Sequence, residues 1–305
     1  MISLIKKYSA QLFVVATLLG LVFPEASAKM LSILPYVLFA LMLLTLIGIK
    51  QQSLLQQLCR FNTWHYALLH SAGLSLVIGL VATILSFDAD LIVAIVACCA
   101  TGSLFATPAI VKNLGYHPLN AMAFTIATTL LMPVVLLVNL SIFKHGDFNL
   151  DMQAYLLRLV VFIICPIMIA FVCFRVLGET KINRLYETLS QMAIVLTFTF
   201  PFGLAGSFGQ LISDNISHAT SLLVLAIALI GCFYCSGLWL FRQQGKEAAL
   251  TAAITMGNRN VLLTFVVAGS YLGPEYLALI GAMQLPIYAL PLITKKLINQ
   301  PWLDD

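Results

Sequence analysis

Arg259 stands in the run Thr255-Met256-Gly257-Asn258-Arg259-Asn260-Val261, where one cation, two amides and a hydroxyl interrupt an apolar stretch. A second polar run, Cys98-Cys99-Ala100-Thr101-Gly102-Ser103-Leu104-Phe105-Ala106-Thr107-Pro108, sets the hydroxyls of Thr101, Ser103 and Thr107 around a glycine and ahead of a proline. These residue types suit ion recognition. A guanidinium offers five N–H donors in a planar fork that matches a carboxylate, sulfonate or phosphate. Catalytic chemistry has no comparable signal: there is no His-Glu-x-x-His, no Gly-x-Ser-x-Gly and no pair of acids within an apolar stretch. Cys232-Phe233-Tyr234-Cys235 has redox or metal spacing but lacks a second ligand pair, so packing is the better reading.

The elements that must position these groups are membrane helices. Hydrophobic residues make up 61% of the 305-residue chain and charged residues 9%, with a mean hydropathy of +1.00, far from soluble globular composition. A bilayer core takes roughly 20 apolar residues per helix. Windows of that size fall at 9–23, 31–49, 65–85, 91–112, 118–143, 152–175, 188–210, 219–241, 247–270 and 275–295. The expected fold is therefore an all-α polytopic membrane protein of ten transmembrane helices in one integral domain, 1–305. Lys6 and Lys7 before an apolar run, with Ala26-Ser27-Ala28 behind it, imitate a secretory signal; the repeat described next needs this segment as a first helix.

Gly102 and Gly257 lie 155 positions apart, Pro24 and Gly178 154, and Pro133 and Pro286 153. One offset fits all three pairs. Five spans per half is an odd number, so the second half enters the membrane upside down, and an inverted repeat of about 1–146 and 147–305 is expected. The two polar runs then occupy matching positions in the fourth span of each half, helices four and nine, both broken. Lys and Arg should gather on the cytoplasmic side. Of the 16, twelve fall on the amino-terminal side of these spans, Lys29, Lys144 and Arg158 on the other, and Arg259 inside. Both termini are thus expected in the cytoplasm, in an inner membrane of bacterial type.

Unwound backbone in hydrocarbon leaves polar groups without partners, so it is tolerated only inside protein or beside a watery cavity. Half-helix N-termini at such breaks carry partial positive charge and C-termini partial negative charge. Thr101, Ser103, Thr107, Thr255, Asn258 and Asn260 can line a substrate there, or can simply satisfy the helix ends. Arg259, at a midplane cost of roughly 2.5–3.5 kcal/mol on insertion scales, can likewise donate to unwound carbonyls or receive a substrate anion. All twelve acids fall in loops or at span ends, so no buried carboxylate offers a cation site or proton relay. His65, His117, His145 and His218 sit near span ends, and His70 lies within span three.

At these residues the chain resembles the bile acid:sodium symporter family over nearly its full length. Cys98, Cys99, Gly102, Gly257 and Asn260 match the family's two breaks, and Thr125-Ile126-Ala127-Thr128-Thr129 leading to Pro133 matches its fifth helix. The resemblance implies inverted five-helix repeats with the fourth and ninth helices crossing where they unwind. It also implies a panel of helices 1, 2, 6 and 7 that rocks against a core of helices 3, 4, 5, 8, 9 and 10. Members move organic anions, and well-known ones couple this to sodium. Here Phe105-Ala106 replaces a Ser-Asn pair, Thr255 replaces a sodium-ligating Glu, and Arg259 replaces a Gln. Thr125, Thr129, Thr255 and His70 are the positions left for an ion.

The expected function is secondary transport of a small organic anion by alternating access, with sodium coupling altered or lost and the guanidinium of Arg259 standing where a coupling cation would. Substrate contacts are expected from Arg259, Asn258, Asn260, Thr255, Thr101, Ser103 and Thr107. A transport-derived sensor or binding subunit is the second class. An intramembrane enzyme, the third, lacks a nucleophile with a base. The expected partners are the anion and the lipid bilayer; a net charge of +4 spread over cytoplasmic loops calls for no nucleic acid.

Overall fold

A computed structural model describes residues 2–47, 51–144 and 151–298, so the repeat boundary expected near 146 lies outside the described residues. Among the described residues the fold is helical apart from one isolated β-bridge, and the chain is an all-α polytopic membrane protein. Helix α1 (Ile2–Val22) turns through 108° at Pro24 into α2 (Pro24–Leu31). Next come α3 (Leu34–Ile47), α4 (Gln51–Leu58), α5 (Phe61–Ala67), a π-helical turn at Leu68–Gly73, and α6 (Leu74–Ile84). The fourth apolar stretch is two pieces, α7 (Ala89–Ala100) and α8 (Thr107–Asn113), followed by α9 (Pro118–Phe143).

The second half opens with α10 (Met152–Leu159), a π-helical turn at Val160–Ile164, and α11 (Cys165–Thr197). Gly178, at φ 75°, breaks α11 in a left-handed conformation that L side chains avoid. After it run α12 (Thr199–Asp214), α13 (Ile216–Phe241), the split pair α14 (Lys246–Gly257) and α15 (Val261–Ala268), and α16 (Gly273–Leu297). Among the described residues, six stretches are long and apolar enough to cross a bilayer as single rods and two bent pairs raise the number to eight, against the ten spans expected; Ala89–Ala100 and Val261–Tyr271 are shorter apolar helices. Apolar positions surround these helices instead of forming a stripe, as expected where protein covers one side and lipid the other.

Packing ties the helices into one body. α12 lies against α1, α2 and α16, and α3 lies against α11; α7, α8 and α5 lie against α9, and α13 against α14, α16 and α12. α1 also packs on α16 and α15 on α3. Small residues allow the closest approaches. A Cβ on Gly237 of α13 would stand 2.5 Å from Cα of Ala253 in α14, and one on Gly102 would stand 2.9 Å from the Thr129 nitrogen in α9.

Candidate functional site

The two breaks meet. Ser103 and Arg259 form an antiparallel β-bridge, with Leu104 N–H donating to Asn258 O at 2.8 Å and Asn260 N–H to Gly102 O at 2.8 Å. Side-chain hydroxyls repeat the link: Thr101 donates to Asn260 O at 2.7 Å and Ser103 to Thr255 O at 2.8 Å. Thr128 of α9 receives the Ser103 N–H at 3.1 Å. The crossover therefore satisfies much of the unwound backbone internally, as burial away from water requires.

Helix α7 ends at Ala100, which leaves its last carbonyls without intrahelical N–H partners and gives that end a partial negative charge. Arg259 occupies this end. Its Nη2 donates to Cys99 O and, at 3.3 Å, to Cys98 O, and its Nη1 donates to Nε2 of His70. The Phe233 ring of α13 lies 3.9 Å from the guanidinium carbon, in cation–π contact. Arg259 is 1% exposed, so the charge is sealed within protein. Of the two uses left open by the sequence, donation to unwound carbonyls is the one the structure displays.

Nε2 of His70 faces two groups with opposite demands, the Arg259 guanidinium, which can only donate, and Met256 O at 3.3 Å, which can only accept; the closer Arg259 contact favours the tautomer with its proton on Nδ1, 3.3 Å from Ser71 Oγ. His70 belongs to the π-helical turn at Leu68–Gly73; a wide turn of this kind re-aims a side chain and recurs at functional sites. Tyr66 stacks on His70 at 5.5 Å and on Phe124 at 3.9 Å, completing an aromatic wall.

Asn258 and Asn260 flank Arg259 in the chain, and the Arg259 N–H closes a tight turn over Asn258 by donating to Gly257 O at 3.0 Å. Asn260 Oδ1 caps α15 by accepting from Leu263 N–H at 3.3 Å. Asn260 Nδ2, both polar atoms of the Asn258 side chain, and the hydroxyls of Thr107 and Thr129 are buried without a hydrogen-bond partner among the described residues. Unmade bonds to buried groups cost about 1–3 kcal/mol each, so these groups, together with Arg259 Nε, are unsatisfied polar capacity on the elements that form the crossover. Among the remaining expected residues, Thr255 and Thr125 return their hydroxyls to their own helices, to Thr251 O and Ala121 O. His70 joins Arg259, whereas Thr125 and Thr129 sit on α9, Thr129 beside Gly102.

Sequence reasoning missed Phe233. The Cys-x-x-Cys spacing drew attention to its neighbours, and both thiols are exposed and free, while the ring between them contacts the cation. Thr128 was passed over inside a Thr-rich run. Neither a comparison with protein-family profiles nor one with curated protein sequences finds a match, so the site is read from its own geometry.

Proposed function

We propose that this protein is a secondary transporter of a small organic anion, working by alternating access. The observation that carries the reading is the crossover of two half-helix pairs, which holds a sealed guanidinium at Arg259 and partnerless polar groups on Asn258, Asn260 and Thr107. Donors near the N-terminus of α15 suit an anionic group, and Arg259 adds a fixed positive charge beside them. Unwound backbone at membrane depth is confined to protein interiors and water-filled cavities, the setting in which secondary transporters place their broken helices.

The reading includes an inverted ten-helix repeat, for which corresponding features of the two halves speak. α9 and α16 each open with a proline in the first turn, after Gly115 and at Gly273, both at positive φ, and carry Pro133 and Pro286 inside. The breaks that precede them, after Ala100 and after Gly257, hold the corresponding place in each half. On this reading α1–α3 and α10–α12 are the moving panel, and the helices around the crossover are the core. Membership in the bile acid:sodium symporter family accords with this arrangement, with Arg259 filling the volume of a coupling cation and His70 completing its donor sphere. Sodium is then not needed.

The test is uptake of labelled organic acids into vesicles containing the protein. Uptake that persists when potassium replaces sodium and is lost in Arg259→Ala supports the reading. Strict sodium dependence contradicts the substitution by Arg259. Ligand binding without uptake favours a binding subunit, and chemical conversion without uptake an enzyme.

A further inference from the structure

The two ends of the panel–core boundary are built differently. At one end, α10 of the panel is bonded to the core at three levels: Asp151 N–H donates to the Tyr271 hydroxyl at 3.1 Å, Tyr155 OH to Pro133 O at 2.9 Å, and Arg158 Nη1 to Val267 O and Ser270 Oγ at 3.4 Å each. Ser207 of α12 adds a bond to Leu277 O of α16 at 2.8 Å. At the other end a cavity of about 70 Å³ separates the same two groups, lined by Phe13 and Ile194 of the panel and by Asn113, Leu114, Pro291 and Lys295 of the core. Leu277 and Lys295 are eighteen positions apart on α16, about 27 Å along a helix.

Arg158 is the informative member of the bonded end. Val267 lies in the last turn of half-helix α15, whose terminal carbonyls have no intrahelical partner. A cation placed there meets the negative end of the helix dipole, and it comes from the opposite side of the boundary. Lys144 Nζ reinforces the same corner by donating to Tyr271 O at 2.9 Å.

We propose that Arg158 is a gate residue: by docking on the carbonyl end of α15 it seals this end of the pathway while the Lys295 end is open, and it lets go when the Lys295 end closes. The inference rests on the transporter reading but has its own test. Hydrogen exchange of the full chain in lipid nanodiscs is followed by mass spectrometry, comparing the wild type with Arg158→Gln. Freeing the latch raises exchange across Val261–Leu272 by about three- to tenfold. Because the boundary has two alternating ends, exchange across Ile110–Leu114 and Pro291–Lys295 falls in the same sample. Arg158→Lys, which keeps the cation, moves both ends less than Arg158→Gln.

A rise at α15 with no fall at the Lys295 end marks a merely structural bond and overturns the proposal. If Arg158→Gln does not fold, Ser270→Ala removes the hydroxyl half of the latch and gives the same reciprocal change at smaller amplitude; its absence there is equally fatal. Vesicle uptake separates the two readings: reciprocal exchange without uptake upholds the gate and refutes transport, and uptake without reciprocal exchange does the opposite.

Discussion

The guanidinium of Arg259 is held through its shape as well as its charge. One fork nitrogen serves the end of α7 and the other serves His70, while the flat face rests on Phe233. An ammonium is a point donor that cannot reach both sites in that plane. Arg259→Lys should therefore behave nearly as badly as Arg259→Ala, losing about 1.5–3 kcal/mol for each charge-assisted bond forfeited, read as a fall in thermal midpoint in detergent. Phe233→Leu keeps the volume and removes the ring quadrupole, for a loss of about 0.5–2 kcal/mol; an unchanged midpoint would deny the ring its role. Arg259 was legible in the sequence because a lone cation in an apolar window is costly and needs a reason. Phe233 was not, since nothing in a string of apolar letters says which ring faces which charge.

Helices and their joints divide in the same way. Apolar windows located most long apolar stretches, and span five at 118–143 coincides with α9, but α11 (Cys165–Thr197) runs across the windows at 152–175 and 188–210. Gly and Pro in matching places located both breaks, because these residues weaken helix wherever they occur. Two features escaped. The 108° bend at Pro24 depends on how α2 lies on α12, where Ser27 Oγ donates to Phe202 O at 2.7 Å. The π-helical turns leave no mark in hydropathy, because one additional residue per turn does not alter composition. A joint of this kind can be tested through its tightest contact. Gly237→Val would drive a side chain into the Ala253 backbone, separate α13 from α14, and draw Phe233 away from the cation. A stability loss of about 1–3 kcal/mol is expected for such overpacking, with uptake falling further than stability alone explains. Lys295→Ala, at the rim of the cavity, should instead raise the substrate concentration for half-maximal uptake and spare the maximal rate, because a rim charge chiefly steers encounter.

At the scale of the whole molecule, one feature of the site would govern the energetics of the proposed transport. A coupling ion enters with its substrate and leaves with it, whereas Arg259 is covalently part of the chain and sealed inside it. A monovalent anion carried past such a residue crosses the bilayer unaccompanied. Each turnover would then move one negative charge, and the membrane voltage would act on it with about 2.3 kcal/mol per 100 mV. Vesicles clamped negative inside with potassium and valinomycin should take up the anion slowly, and vesicles clamped positive inside should accumulate it. In a cell polarised negative inside, the same charge balance would make this protein an exit route.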